Sequence, residues 1–112
     1  MPINSQDYEK VCVIGIQGEL MTEDSALALA AVNEGISKRQ VVDFVLDFQH
    51  CTMIDSHGLE TMLAIKRKCE VLFGRVKLIH LDDYCHKILE ITRIEQRFEC
   101  CRDLATALKT MR

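Results

Sequence analysis

The chain has 112 residues, 48% of them hydrophobic, and its 14 Lys and Arg against 17 Asp and Glu give a net charge of −3. This length fits one domain with its own core, so we expect a single domain over residues 1–112, and the slight acidity argues against direct nucleic-acid binding. One proline and five glycines exclude a disordered or collagen-like chain, and no apolar run approaches the ~20 residues of a membrane-spanning helix.

The first half of the chain predicts a strand, a helix and a second strand. Residues 1–10 are mostly polar and carry no export signal, so we expect a cytoplasmic protein. The β-branched run Val11–Gln17 predicts a strand covered on both faces. Thr22 is the expected N-cap of a helix that ends near Ile36, and the alternation over residues 41–48 predicts the second strand.

The second half continues the same alternation. After a short link, the expected elements are a helix from residue 55 until Gly74, a strand over residues 75–81, a helix from Asp82 or Asp83 to Ile91, an extended stretch near Phe98 and a helix capped by Asp103. Alternation of this kind predicts right-handed crossovers and an α/β fold. We expect one layer of mainly parallel or mixed sheet, with four to five strands, flanked by about four helices.

Six cysteines need an explanation. Cys12, Cys51, Cys69 and Cys85 lie in or beside apolar segments, where a thiol behaves as a small buried hydrophobe. A chain with enough aliphatic residues for a core does not need a disulfide framework, so reduced structural thiols are expected. The neighbours Cys100 and Cys101 are poorly placed to hold one metal together.

The segment Asp55-Ser56-His57-Gly58 lies where a strand-like approach meets a helix start. A helix N-terminus has unpaired amide donors and partial positive charge, so a serine there can accept a phosphoryl group without unfolding the domain. About −1.5 to −2 charges would then be added at one surface spot. The alternative is that Asp55 or Ser56 is simply an N-cap and Gly58 serves packing.

Enzyme and metal chemistry find little support in the sequence. Consecutive Asp55, Ser56 and His57 diverge by about 100° around a helix start, so they cannot align as a hydrolase triad. No Cys-x-x-Cys pair or compatible His pair predicts a metal site, and no glycine-rich phosphate loop is present. We therefore expect a binding protein without catalytic residues, metal or cofactor.

The stretch from Val41 to Leu59 resembles the signature of STAS domains, specifically the bacterial anti-sigma factor antagonists. The resemblance rests on an apolar strand ending in Asp47-Phe48 and on the sequence Ile54-Asp55-Ser56-His57-Gly58-Leu59. Supporting likenesses are Gly18-Glu19-Leu20 before the first helix, the strand from Arg75 and the helix around Ile88–Ile94, so the resemblance covers roughly residues 11–108.

This resemblance implies a regulatory function. Ser56 matches the serine that an anti-sigma factor phosphorylates, the anti-sigma factor being also a serine kinase with a histidine-kinase-like ATP-binding fold. The unphosphorylated antagonist binds that anti-sigma factor and frees the sigma factor; the phosphorylated form releases it, and a PP2C-type phosphatase resets the switch. Asp47 is expected to act as a supporting acid.

Two positions depart from the family pattern. His57 stands where many members have Ser or Thr, and it is either a solvated bystander or a residue that favours phosphate when protonated. Met21 stands where many members have Asp after Gly-Glu-Leu, which puts kinase recognition in question.

The helical wheel from Ser56 predicts a partner-facing stripe that comprises Glu60, Leu63, Ala64, Arg67 and Val71. A second arc is assigned to the sheet and comprises Leu59, Met62, Cys69, Leu72 and Phe73. Lys66, Arg67 and Lys68 form either a solvated face or a docking site for an acidic patch, so the surface is expected to be neutral to basic. An alternative function within the same fold is a scaffold or sensor module of the stressosome-like or transporter-associated kind.

Overall fold

One mixed sheet organises the computed structural model, which describes residues 2–111 apart from the side chain of Thr22. The elements in chain order are β1 (Ile3–Tyr8), β2 (Val11–Leu20), α1 (Thr22–Arg39), β3 (Asp43–Ile54), α2 (Ser56–Val71), β4 (Val76–Ile79), α3 (Asp83–Ile91), a 3₁₀ turn (Glu95–Arg97), β5 (Glu99–Cys101) and α4 (Leu104–Lys109). The sheet order is β1-β2-β3-β4-β5, with β1 antiparallel and the other pairs parallel. The predicted α/β fold with a mixed sheet is confirmed.

The helices divide unequally between the two faces of the sheet. The main core packs α1, α2 and α3 on one face, through residues such as Val32, Met62 and Leu89. This follows from the topology, because successive right-handed crossovers in one direction place their helices on the same face. A smaller cluster on the other face packs Ala107 of α4 against Val13 and neighbouring strand residues.

The fully buried Lys77 ties α4 to that second face. Its Nζ lies 3.1 Å from the carbonyl oxygen of Ala107 and 3.2 Å from a carboxylate oxygen of Glu99, and it also contacts the Thr110 hydroxyl. A buried ammonium needs such partners because an unpaired charge in the core is strongly destabilising. The C-terminal end of α4 supplies one of these partners, because the last carbonyl groups of a helix have no partner within it.

Strand β1 was not predicted from the sequence. It pairs with β2 from Ile3 opposite Ile16 to Tyr8 opposite Val11, and Ile3 is its only buried residue. An edge strand exposed on both faces needs no alternation of apolar and polar residues, so the usual pattern is missing.

Strand β3 is longer, and β4 shorter, than predicted. β3 continues through residues 51–54, where a link was expected, because these residues still pair with the end of β2, up to Leu20 opposite Ile54. β4 stops at Ile79 because His80 adopts a positive φ of 57°. The long β3 therefore delivers Asp55 directly to the start of α2.

The predicted limits of α1 are wrong at both ends. The N-cap residue is Met21, without a side-chain capping hydrogen bond, and Thr22 is the first helical residue; the Thr22 side chain lies outside the described part. The helix continues past Ile36 to Arg39. Gly35 is buried within it, since an added Cβ would lie 3.1 Å from the ring of Phe44, so this glycine serves packing rather than termination.

The C-terminal end of α2 also differs from the prediction. The left-handed residue is Phe73, with φ of 63°, and not Gly74. Gly74 is instead packed on the backbone of Val42, where a Cβ would overlap the Val42 carbonyl oxygen. The assignment of Leu72 and Phe73 to the sheet is wrong, because their exposed fractions are 43% and 97%. Leu59, Met62 and Cys69 do pack against the core as predicted.

All six cysteines are free thiols, and Cys12, Cys51, Cys69 and Cys85 are buried. Cys100 is exposed and Cys101 partly exposed on the edge strand β5. Burial raises the pKa of the Cys12 thiol to about 12, with a smaller contribution from Asp7, and burial likewise raises the pKa of Cys69 to about 12. These thiols are neutral in the folded protein.

Because of the buried thiols, the free energy of unfolding is expected to fall as the pH rises in the alkaline range. Between about pH 9 and about pH 12 the unfolded chain ionises Cys12 and Cys69 while the folded protein keeps them protonated, so rising pH favours unfolding. Each thiol is expected to lower the free energy of unfolding by roughly 1.4 kcal/mol per pH unit in that range. Urea unfolding of the parent and of Cys69→Ala at several alkaline pH values measures this. The variant should show the shallower pH dependence, and equal slopes would contradict the assignment.

Candidate functional site

The candidate site lies where the carboxyl ends of β2 and β3 meet the start of α2. The backbone N–H of Asp55 donates to the carbonyl oxygen of Leu20 at 3.3 Å, directly beyond the Leu20–Ile54 pair of the sheet. Since Leu20 is followed by Met21, the N-cap of α1, the starts of α1 and α2 lie next to each other. The parallel pairing thus brings two helix N-termini to one edge of the sheet.

Asp55 is the N-cap of α2. Its Oδ1 accepts a hydrogen bond from the backbone N–H of Gly58 at 2.8 Å, and its carbonyl oxygen accepts from Leu59 at 3.0 Å. This is the arrangement that a capping aspartate makes at the first turn of a helix. The prediction of a helix start at this point is confirmed.

Ser56 is the first residue of α2, and it is exposed. Within residues 2–111, its hydroxyl takes part in no described hydrogen bond. The N–H groups of Ser56 and His57 precede the first intrahelical donors, so they remain free to bind an anion at the helix start. Asp55 caps the helix, and the hydroxyl of Ser56 is therefore not needed for capping.

His57 is the third member of this segment and lies at the surface. Its Nδ1 is 3.9 Å from Oδ2 of Asp55, and its side chain is largely exposed. A pair at this distance in solvent contributes little to stability. His57 thus borders the Ser56 position without being fixed by a close hydrogen bond.

Gly58 fixes the approach of α2 to the sheet. An added Cβ would overlap the carbonyl oxygen of Leu20 and lie 3.0 Å from Cγ2 of Ile54. A glycine here allows the helix backbone to come close to β2. The position of Ser56 is therefore set by a backbone contact two residues further along the helix.

The predicted partner-facing stripe is only partly exposed. Glu60 and Arg67 are exposed, whereas Ala64 is half-buried and Leu63 packs against the main core. Their contribution to partner binding stays a prediction, and Leu63 is the member whose packing gives it a structural role as well.

The surface beside Ser56 is acidic, which differs from the neutral-to-basic expectation. The first turn of the neighbouring α1 carries Glu23 and Asp24, and the strand end before it carries Glu19. Arg67 and Lys68 lie toward the other end of α2. The helical wheel of α2 missed these acids because they belong to α1 and β2.

Two exposed methionines also border the site. Met21 precedes α1, and Met53 lies opposite Glu19 at the end of β3. Sequence reasoning noted Met21 only as a departure from the family pattern and missed Met53. No alternation marks Met53, because the end of β3 runs buried, exposed, exposed, buried over residues 51–54.

Asp47 makes its described contacts away from Ser56. Its Oδ1 accepts from the backbone N–H of Gln49 at 2.9 Å and lies 3.0 Å from Nδ1 of His80. Asp47 pairs with Gly15 and Ile79 in the middle of the sheet. Its supporting role at Ser56 stays a prediction that these contacts do not favour.

Metal-binding clusters and membrane-spanning helices are both absent from the described residues. No group of three or more His, Cys, Asp or Glu side chains with metal-binding geometry occurs among them. None of their helices is both long enough and apolar enough to cross a bilayer.

Comparison with known proteins gives a family and a set of structural relatives. The STAS domain family matches residues 2–107. A candidate anti-sigma factor antagonist from Thermotoga maritima superposes with a TM-score of 0.89 at 16% identity, covering 97% of this chain and 93% of the other. No curated protein matches the sequence significantly.

Two further relatives have the same fold. An anti-sigma factor antagonist from Mycobacterium paratuberculosis gives a TM-score of 0.84 at 17% identity, covering 97% of this chain and 92% of the other. The Bacillus cell fate determinant SpoIIAA in its phosphorylated form gives a TM-score of 0.76 at 19% identity, covering 98% of this chain and 99% of the other. At these identities the likeness establishes the fold.

Proposed function

The chain belongs to the STAS domain family, and we propose that it acts as an anti-sigma factor antagonist whose binding is switched by phosphorylation of Ser56. Unmodified, it binds an anti-sigma factor and frees the sigma factor; phosphorylated, it releases that partner. The structural relatives include anti-sigma factor antagonists, one of them described in a phosphorylated form. The proposal makes this protein a binding protein and not an enzyme.

One observation carries the proposal, namely the exposed Ser56 that follows an N-cap already formed by Asp55. Because Asp55 satisfies the amide of Gly58, a phosphoryl group on Ser56 breaks no capping bond. The amides of Ser56 and His57 are available to it at the start of the helix. A phosphorylated Ser56 is therefore compatible with the fold as it stands.

The chemistry required is transfer of the γ-phosphoryl group of ATP. The Ser56 oxygen forms a bond to phosphorus, the bond to the β-phosphate oxygen breaks, ADP leaves, and the serine proton passes to a base of the kinase. The product adds about −1.5 to −2 charges next to Asp55 and the acids of α1. A partner surface fitted to the unmodified site then meets a dianion that needs new hydrogen-bond partners.

The partners follow from the same proposal. The kinase is the anti-sigma factor itself, with a histidine-kinase-like ATP-binding fold, and a PP2C-type phosphatase removes the phosphoryl group. The exchange takes place in the cytoplasm and controls transcription through the sigma factor, without nucleic-acid contact by this chain. Glu60 and Arg67, exposed on α2, are the side chains we place at the edge of the partner contact.

Phosphoryl transfer to Ser56 can be measured by intact mass. Incubation with the cognate anti-sigma factor kinase, Mg²⁺ and ATP should add one phosphoryl group, and peptide mapping should place it on Ser56. Ser56→Ala should stay unmodified under the same conditions. A phosphoryl group on another residue, or none on the parent protein, would contradict the proposal.

A further inference from the structure

Three consecutive apolar side chains are exposed at the C-terminal end of α2, opposite Ser56. Val71 is 77% exposed, and Leu72 and Phe73 follow it at the surface. We call these three residues the α2 tip. Single exposed apolar residues are ordinary, whereas contiguous ones that include an aromatic ring mark an interaction surface.

The backbone holds Phe73 outward. Phe73 has a left-handed conformation, which is unfavourable for a bulky side chain, yet the turn is fixed on both sides. The N–H groups of Leu72 and Gly74 donate to the carbonyl oxygen of Cys69 at 3.0 and 2.7 Å. Gly74 is packed against Val42, so the ring next to it points away from the core. The fixed turn therefore presents the Phe73 ring to solvent.

Basic residues surround the α2 tip. Residues 66–75 contain four basic side chains and one acidic side chain, Glu70, which is held by Lys66 at 2.6 Å. The Arg75 side chain turns away to donate to the carbonyl oxygen of Thr110, and the Asp43 carboxylate accepts from the Arg75 backbone N–H at 2.8 Å. Arg67 and Lys68 are exposed, and no ion pair is described for them within residues 2–111. Lys38, in the last turn of the neighbouring α1, lies toward the same end because α1 and α2 both follow parallel strands.

The opposite end of these helices is acidic, as Glu23, Asp24 and the caps Asp55 and Asp82 show. Within a chain of net charge −3, Lys38, Arg67 and Lys68 therefore form a local basic patch beside the apolar α2 tip. This separation orients the molecule in the field of a negatively charged surface.

We propose that the α2 tip binds an anionic phospholipid surface. A bilayer interface accepts a protruding aromatic side chain without a matching cavity, and Lys and Arg beside it are attracted to anionic headgroups. The 16 residues of α2 span about 24 Å, so Ser56 faces away from the lipid. The site of the proposed phosphorylation stays accessible in this orientation.

Vesicle sedimentation tests this binding with the full chain. The parent should co-sediment at low salt with phosphatidylcholine vesicles containing about 30% phosphatidylglycerol and not with phosphatidylcholine alone. Phe73→Asn suits the left-handed conformation, so it should remain folded while partitioning falls about tenfold. Arg67→Gln with Lys68→Gln should lower binding by about thirtyfold, at about 1 kcal/mol for each charge removed. Leu27→Ser, which removes an exposed apolar residue of α1, is the matched control and should bind like the parent.

The outcomes of these experiments distinguish a lipid surface from an acidic protein as the partner of the α2 tip. No sedimentation with anionic vesicles at low salt, or equal sedimentation of Phe73→Asn and the parent, would overturn the proposal. Binding to polyglutamate without vesicle binding would also overturn it and favour an acidic protein partner. Ser56→Ala should sediment like the parent, so the result is independent of the phosphorylation proposal.

Discussion

Replacing Ser56 by Asp is expected to abolish binding to the cognate anti-sigma factor, while Ser56→Ala binds at least as tightly as the parent. The added carboxylate lies beside Asp55 and the acids at the start of α1, at the centre of the proposed contact. A desolvated, unpaired charge in an interface costs several kcal/mol, so about a hundredfold or greater loss is expected. Titration calorimetry with the three proteins measures it.

The matched control is Ser5→Asp, which adds the same charge on the exposed face of β1. It should bind like the parent. Equal affinity of Ser56→Asp and Ser56→Ala would show that charge at Ser56 does not govern the partner, and equal losses in Ser56→Asp and Ser5→Asp would indicate a general charge effect.

Gly58→Ala should destabilise the fold and weaken partner binding together. The new Cβ would overlap the Leu20 carbonyl oxygen, so the start of α2 must move away from β2. Overpacking of this kind costs about 1–3 kcal/mol, and the higher helix propensity of Ala, about 1 kcal/mol, offsets only part of it. Urea unfolding gives the change in the free energy of unfolding. The binding titration gives the loss of affinity for the partner that results when Ser56 is displaced.

Glu60→Ala provides the comparison for that change, since Glu60 is exposed on the same helix. Its free energy of unfolding should stay within about 0.5 kcal/mol of the parent. A Gly58→Ala protein with parental stability and parental affinity would mean that the close approach to Leu20 does not position the site.

Local sequence signals were sufficient where one residue decides the structure. The expected caps were Asp82 or Asp83 for α3 and Asp103 for α4. Asp82 and Asp103 each accept a hydrogen bond from the N–H three residues on, at 2.7 and 2.8 Å. The start of α2 at Asp55 followed from the same chemistry. These features depend on neighbours in sequence, so a single chain reveals them.

Features set by tertiary contacts were not predictable in this way. The end of α1 was expected near Ile36, but the helix continues to Arg39 with Gly35 packed on Phe44 inside it. Phe73 was assigned to the sheet from its arc on the helical wheel, but α2 has already ended at Val71 and the turn directs the ring outward. The acidity around Ser56 comes from Glu23 and Asp24, which only the pairing of β2 with β3 brings there.

The most direct test of the central claim compares one preparation before and after phosphorylation. The protein is titrated into the anti-sigma factor, then phosphorylated to completion at Ser56, verified by intact mass, and titrated again. Tight binding is expected at first, then a loss of about a hundredfold or more after modification, and recovery once a PP2C-type phosphatase removes the phosphoryl group. Undiminished affinity of the fully phosphorylated protein would contradict this claim.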